Sequence, residues 1–287
     1  MTRSTAFKNL LVLTSLAVIP NEVCARDGPG TGILNAAIEN IQDGFDIIIP
    51  DDLKLDDLRV RIGAGFGTLP DYVGAKNYRT KAVPLIDIHY GRHWRLSNRR
   101  LSFNAIINGG WRIGPFIKQK SGRRETRGPV LEGLGDIGST FQVGAFAKYK
   151  TKRLLFNAEY RHALGAKQGD SLRVTFGHGI LKSGKFSAAA VASAKWLSDT
   201  AMQTNFGVTP IQSLNSTAGL QTYTPRSGVS EVSVSLYGRY QIDERTRLVG
   251  LASYGRLLGA SADSPLVANG AGSVDQMKVG IGFTVDF

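Results

Sequence analysis

The chain ends in the stretch Met277-Lys-Val-Gly-Ile-Gly-Phe-Thr-Val-Asp-Phe287, in which the character of the residues alternates. Every second residue is apolar, whereas the positions between them hold glycine and polar residues such as Lys278 and Asp286. Successive side chains of a β-strand point to opposite faces, so this period of two predicts a strand with one apolar and one polar face.

The same alternation recurs upstream from Leu58 onward. Residues 231–242 repeat it, with Val232, Val234 and Leu236 between polar neighbours. Other apolar rows of period two begin at Leu58, Phe141, Leu154, Leu172 and Phe186. No later segment has about 18 consecutive apolar residues, so the sequence predicts strands and not transmembrane helices.

The connections between these segments alternate in length. Short turns are predicted near Gly91-Arg92, Gly109-Gly110, Thr151-Lys152, Ser183-Gly184 and Asp243-Glu244. Long polar loops are predicted at 68–81, 121–136, 198–227 and 259–273, with a shorter one near 164–168. Placing all long loops at one end gives 12 strands if Arg92–Ser97 and Leu101–Ile107 are separate short strands, and ten if they are not.

These features favour an all-β fold, an antiparallel transmembrane β-barrel over residues 58–287. A tilted strand needs about 9–11 residues to cross a bilayer, and most of the segments reach that length. Short turns at one end and long loops at the other are typical of outer-membrane barrels. Aromatic residues near strand ends fit interfacial girdles, namely Tyr90, Trp94, Trp111, Tyr149, Tyr160, Trp196, Tyr240 and Tyr254. A soluble β-sandwich is the alternative.

The N-terminal part differs from the rest. Residues 1–25 have a basic start, an apolar core and small residues before Ala25, which predicts a cleaved signal peptide and export by a Gram-negative bacterium. Cleavage there would remove Cys24, the only cysteine. Residues 26–57 have two basic and eight acidic residues, and we interpret them as a periplasmic extension that plugs the barrel or faces a partner. A solvated linker is the alternative for this segment.

The remaining chain, 58–287, has a net charge of +17. Alternation places many of these cations on the inward face; the candidates are Arg59, Arg61, Arg112, Lys118, Lys148, Arg161, Arg173, Lys185, Lys195, Arg239 and Lys278. An open lumen with this lining would prefer anions. A basic cluster around one long loop offers contacts for lipopolysaccharide phosphates or an acidic partner; it comprises Lys118, Lys120, Arg123, Arg124 and Arg127.

No motif points to catalysis, a cofactor or a metal. The run Gly63-x-Gly65-x-Gly67 lies within a strand and lacks the following helix that nucleotide binding needs, so we expect its glycines to relieve crowding in the wall. His89 and His162 lie near acidic residues in the sequence, but no histidine has the spacing of a metal site. We expect no enzymatic activity and no nucleic-acid partner.

Several blocks resemble the MipA/OmpV family of outer-membrane proteins, also called MltA-interacting proteins. They are Gly63–Tyr72, Pro84–Gly91, Leu131–Asp136, Met202–Pro210 and Arg256–Val267, followed by the terminal strand. The resemblance implies an outer-membrane barrel without catalytic residues. It implies a scaffold for murein synthesis and remodelling that links a lytic transglycosylase to a peptidoglycan synthase.

A small anion-preferring porin-like channel and a surface adhesin are the alternatives. Two of the blocks lie in long loops and are candidates for partner binding, although such residues more often fold the loop itself. Their candidate residues are Met202, Gln203, Thr204, Phe206, Asp263, Ser264 and Pro265.

Overall fold

The computed structural model describes residues 58–268 and 270–287. The predicted signal peptide (1–25) and acidic extension (26–57) lie outside the described residues, and so does Asn269. Within the described ranges, no helix is both long and apolar enough to cross a bilayer.

The described chain consists mainly of β-strands. They are β1 (Leu58–Pro70), β2 (Tyr78–Tyr90), β3 (Trp94–Ser97), β4 (Arg100–Phe103), β5 (Ile106–Asn108), β6 (Trp111–Lys120), β7 (Thr140–Lys150), β8 (Leu154–Ala163), β9 (Asp170–Ser183), β10 (Phe186–Leu197), β11 (Gly228–Gln241), β12 (Thr246–Leu257) and β13 (Asp275–Asp286). Short helices lie in the loops: η1 (Glu125–Arg127), η2 (Pro129–Leu131), α1 (Asp199–Phe206), α2 (Pro210–Asn215) and η3 (Gly259–Ser261).

The strands form one closed antiparallel barrel. Each long strand pairs with its sequence neighbours, and β1 pairs with β13 from Arg61 opposite Asp286 to Thr68 opposite Val279. The short strands β3 and β4 complete the circle, because β3 pairs with β2 and β4 with β6. Strand β5 pairs with the first three residues of β6, and β4 pairs with β6 further along, so β5 does not add a strand to the wall. The 12-strand barrel is therefore confirmed, and the two predicted short strands are the elements that set this number.

The outward face of the barrel is apolar. Phe66, Val279 and Ile281 are 64%, 54% and 58% exposed, as expected for side chains that contact hydrocarbon. Aromatic residues lie exposed at both ends of the strands, including Tyr90 and Trp94 at the turn end and Tyr160 at the loop end. A sheet in lipid has to close on itself because each unpaired backbone group there costs several kcal/mol.

The loop boundaries differ most from the sequence prediction at the first loop, while the loop predicted at 121–136 extends to residue 139 because β7 begins at Thr140. The first loop was predicted at 68–81, but β1 continues to Pro70 and β2 begins at Tyr78, which leaves only 71–77. The two strands keep pairing to their outer ends, where Pro70 lies opposite Tyr78. Polar Thr68 and Thr80 belong to this ladder, and their hydroxyl groups are 3.0 Å apart. The polar character of residues 68–81 therefore predicted a loop that is too long.

The β3–β4 hairpin is too short to reach the outer end of the wall. Its tip is Asn98, whose left-handed backbone (φ 47°) suits asparagine. The Asn98 side chain accepts a hydrogen bond from the Ile86 backbone at 3.0 Å. Above this tip, within the described residues, 78–85 of β2 pair with β1 but with no strand on the opposite side. We call the space between this edge of β2 and residues 118–121 the lateral window.

A proline in β2 fits this arrangement. Pro84 is two residues from Ile86, so its backbone nitrogen faces the lateral window and the ladder with β1 loses no hydrogen bond. Neighbouring strands lie about 4.8 Å apart, so the two strands that stop short correspond to about 14 Å of the wall.

The glycines at the seam of the barrel allow a close approach of β1 and β13. A Cβ atom added at Gly63 would lie 2.0 Å from the carbonyl oxygen of Phe283, whereas one at Gly67 would lie 3.3 Å from that of Val279. The crowding that the sequence predicted for this run is thus present at Gly63.

We expect Gly63→Ala to destabilise the barrel by about 1–3 kcal/mol, because the backbones of β1 and β13 have to separate. Gly67→Ala is the matched control and should cost well under half as much. The measurement is the urea concentration at the midpoint of unfolding in detergent. Electrophoretic mobility of unboiled samples reports the folded fraction at each urea concentration. Equal midpoints for the two variants would contradict the crowding at this seam.

Candidate functional site

The middle of the lumen contains a buried ionic cluster around Glu159. This carboxylate is 1% exposed and lies 2.5 Å from Nη1 of Arg100 and 2.5 Å from Nη2 of Arg161. Asn157 donates a further hydrogen bond to it at 3.2 Å. The guanidinium of Arg100 also lies over the ring of Phe116, 4.0 Å from its centroid. Strands β4 and β8 thus meet through one carboxylate, β6 joins them through Phe116, and the cluster occupies space that an open channel would need.

A second ionic cluster lies nearer the turn end. Arg61 contacts Asp286 at 2.6 Å and Asp87 at 3.6 Å, which joins β1, β2 and β13. Asp87 also accepts a hydrogen bond from Arg95 at 2.7 Å, and Asp286 lies 2.5 Å from Arg247. These pairs neutralise part of the inward positive charge that the sequence predicted.

Apolar side chains fill the other side of the lumen. Leu155, Ala189, Val191, Tyr237 and Leu251 form one buried cluster on strands β8 to β12. Leu155 and Ala189 point into the lumen, and both are completely buried there. Inward side chains at this level are therefore buried against one another, as in other small barrels whose interior is filled by side chains.

The long loops form a cap over the outer end. Its core contains Leu131, Met202, Phe206 and Leu266, each at most 2% exposed, from three different loops. Helix α1 begins at Ser198, whose side chain accepts a hydrogen bond from the backbone of Ala201. The cap thus has its own hydrophobic core above the barrel.

The two candidate loop blocks meet within this cap. The hydroxyl of Ser264 donates to the carbonyl of Phe206 at 2.6 Å, and Thr204 donates to the carbonyl of Lys167. Gln203 accepts a hydrogen bond from the backbone of Gly207, whereas Asp263 is exposed. Pro265 lies between buried Ser264 and Leu266. Apart from the exposed Asp263, these residues therefore contribute to the folding of the cap, which is the more common role of such blocks.

Below the cap lies a basic cavity of about 130 Å³. Nine of its lining side chains are Lys or Arg and two are Asp or Glu. They come from the outer ends of the strands, with Lys118 on β6 and Lys278 on β13 as examples, and from the loop after β6. The lining also includes Arg79 and Gln119, which flank the lateral window. We call this space the outer cavity.

Two arginines of the loop after β6 reach into the outer cavity. Burial lowers the pKa of Arg123 to about 10, while the nearby Tyr72 acts in the opposite direction. Burial in turn raises the pKa of Tyr72. Arg123 donates from Nη1 to the carbonyl of Asn205 at 3.1 Å. At neutral pH Arg123 is therefore still a cation, held in place by the cap.

The predicted basic residues divide into three groups. Arg161 and Arg173 line the outer cavity with four of the five residues of the loop cluster, while Arg124 is exposed outside it. Arg61 and Arg239 lie near Asp286 in the lower lumen, and Arg59 and Arg112 lie on the inward rows at the turn end. The expectation for Lys185 was wrong: it lies exposed in the β9–β10 turn and donates to the carbonyl of Ile242.

The sequence did not single out Arg79 as part of the outer cavity. Its position near the start of β2 becomes informative only with the lateral window, and the only trace of that window in the sequence is a mid-strand proline followed by two very short strands. Lys195 and Glu231 also line the cavity, from the outer ends of β10 and β11.

Two of the four histidines, His89 and His162, lie beside carboxylates, whereas His93 contacts the backbone carbonyl of Asn104. His162 lies 2.6 Å from Asp170 at the exposed outer rim, and His89 lies 3.3 Å from Asp87 in the lumen. Among the described residues, no three His, Cys, Asp or Glu side chains are grouped to hold a metal ion.

The turn end of the barrel carries a basic surface. Its exposed charged residues are the cations Arg92, Lys152, Arg153, Lys182, Lys185 and Arg245 and the anions Asp243 and Glu244. The Asp243 carboxylate accepts hydrogen bonds from the backbone N–H groups of Arg245 and Thr246, which lower its pKa and close the β11–β12 turn. We call this set the basic turn surface.

A closed antiparallel barrel with an apolar exterior, short turns at one end and long loops at the other defines an outer-membrane β-barrel protein. The family model of MltA-interacting protein MipA matches residues 62–287. The chain therefore belongs to the MipA family. The blocks that carried the resemblance in the sequence all fall within, or overlap, this match.

Solved structures with a similar fold include several membrane proteins. The NanC porin is 12% identical, with a TM-score of 0.40 over 80% of this chain and 99% of that chain. OmpT of Vibrio cholerae is 8% identical, with a TM-score of 0.37 over 80% and 97%. Neisserial surface protein A is 10% identical, with a TM-score of 0.26 over 80% and 97%. None of the curated proteins matches the chain.

Proposed function

We propose that this chain is a non-enzymatic scaffold that holds murein-remodelling enzymes at the periplasmic face of the outer membrane. The filled lumen around Glu159 is the observation that carries the proposal, because it leaves the barrel ends as the working surfaces. The family description, which names an interaction with MltA, adds the class of partner. By the resemblance, the partners are a lytic transglycosylase and a peptidoglycan synthase.

The basic turn surface is the best candidate for contact with the enzymes. Long loops of outer-membrane barrels face the outside, so the turn end faces the periplasm where murein lies. Its excess of exposed Lys and Arg suits an acidic patch on a partner, which would raise the rate of association and fix orientation. The packed lumen gives no support to the anion channel that composition alone suggested.

The direct test is binding between the full chain in detergent micelles and a purified MltA-type lytic transglycosylase. We expect a saturable complex whose affinity falls as salt rises, because the contact is largely electrostatic. If no complex forms with either that enzyme or a peptidoglycan synthase while the barrel is folded, the scaffold role is excluded.

Charge reversal at one turn should locate the contact. We expect the double variant Lys152→Glu/Arg153→Glu to weaken binding about tenfold or more, since both side chains are exposed at the β7–β8 turn. Arg226→Glu is the matched control, because Arg226 is equally exposed but lies in a loop at the opposite end. Binding that falls equally with both variants would show that net charge matters and the turn surface does not.

A further inference from the structure

The outer cavity contains guanidinium groups whose hydrogen-bonding capacity is only partly used. Nε of Arg123 and both Nε and Nη1 of Arg127 are buried, and no acceptor lies within hydrogen-bond distance among the described residues. Buried donors nearly always have a partner, so three such atoms in one cavity indicate a missing acceptor. Both arginines line the same cavity, whose cations outnumber its carboxylates nine to two.

The chemistry of this cavity fits a phosphate group. Arginine binds phosphate through parallel N–H donors, and Lys118 and Lys120 add positive charge on the adjoining strand end. The carboxylates present are already engaged, since Asp71 contacts Arg79 at 3.8 Å and Glu231 contacts Lys278 at 3.4 Å.

The position of the cavity indicates where such a group comes from. Its lining lies at the outer ends of the strands, at the level of the lipid headgroups of the outer leaflet. Gln119 and Arg79 connect it to the lateral window, where β2 has no neighbouring strand within the described residues. The core of the cap lies above the cavity and shares Tyr72 with its lining. We therefore infer a sideways route from the membrane through the lateral window.

We propose that the outer cavity binds the phosphorylated headgroup of an outer-leaflet glycolipid, which enters through the lateral window. Arg123 and Arg127 donate to the phosphate oxygens, and the acyl chains stay in the bilayer beside the small outward side chains of Thr80 and Ala82. This site is independent of the scaffold role, since it lies at the opposite end from the basic turn surface.

The test uses the full chain in detergent and diphosphorylated lipid A as the probe, with bound lipid counted by native mass spectrometry. We expect the wild type to retain one lipid A and the double variant Arg123→Gln/Arg127→Gln to retain about tenfold less or lower still, because charge-assisted hydrogen bonds are lost. Arg124→Gln is the matched control in the same loop and should bind like the wild type, since Arg124 is exposed and outside the cavity.

Further arms of the experiment separate the sources of phosphate and guard against misfolding. Dephosphorylated lipid A should not be retained, and millimolar inorganic phosphate should not displace the lipid. Arg127→Gln alone serves as a milder variant, with folding checked by electrophoretic mobility without boiling. Equal retention of dephosphorylated lipid A, unchanged retention by the folded variants, or displacement by inorganic phosphate would each overturn the proposal. Loss of transglycosylase binding in these variants is not expected, so the two proposals can fail separately.

Discussion

Glu159→Gln should lower the free energy of unfolding of the barrel by about 3–5 kcal/mol, one of the two largest effects we expect from a single substitution. The change keeps the size of the side chain and removes its charge. Arg100 and Arg161, both 2.5 Å from this carboxylate, would then face each other in the lumen without it. Two guanidinium groups held together without their shared carboxylate repel each other and are poorly solvated.

The measurement is equilibrium unfolding by urea in lipid vesicles, followed by tryptophan fluorescence. Asp275→Asn is the matched control, because Asp275 also lies 3.3 Å from an arginine, Arg256, but the two side chains are 46% and 56% exposed. An exposed pair contributes about 0–1 kcal/mol. Similar losses in the free energy of unfolding for the two variants would show that the Glu159 cluster does not stabilise the middle of the barrel.

Phe206→Ala should open the cap without unfolding the barrel. Removing a buried phenylalanine costs about 3–5 kcal/mol, and Phe206 is 2% exposed in a core made mainly of loop residues, to which β10 and β12 add only their last residues, Leu197 and Leu257. The population of opened cap should therefore rise more than about 100-fold, because each 1.4 kcal/mol is a factor of ten. The lost contacts belong to the cap, so the strands should keep their pairing.

Limited proteolysis from the outer face measures this opening, with cleavage expected within 198–227. Leu214→Ala is the matched control, because Leu214 lies on α2 in the same loop and is 86% exposed. It should be cleaved at the rate of the wild type. If Phe206→Ala were cleaved no faster than Leu214→Ala, the loops would not share the core that the structure shows.

The sequence was sufficient to predict the wall of the barrel. Lipid contacts every second side chain of a spanning strand, so the alternation in segments such as 277–287 reports directly on the environment. The turns at the periplasmic end were also predictable, because glycine and short polar pairs interrupt the alternation there. The number of strands depended on two segments of four residues each, which is near the limit of what a pattern can indicate.

The interior and the cap were less accessible to sequence reasoning. The partners of the lumen clusters lie far apart in the chain, as Arg61 and Asp286 do, so no local pattern joins them. The loops were predicted as polar connections, yet Leu131 and Phe206 give them a shared core. The basic loop cluster was recognised, but its place below the cap and beside the lateral window depends on tertiary packing.

The central claim is that this outer-membrane barrel has a filled lumen and works through its ends. Conductance of the full chain in a planar lipid bilayer tests it most directly, with insertion of folded protein verified by heat-modifiable mobility and an open porin as the positive control. We expect no steady current at either polarity. A steady, anion-selective current from the folded barrel would contradict this claim and support the alternative function as a diffusion channel.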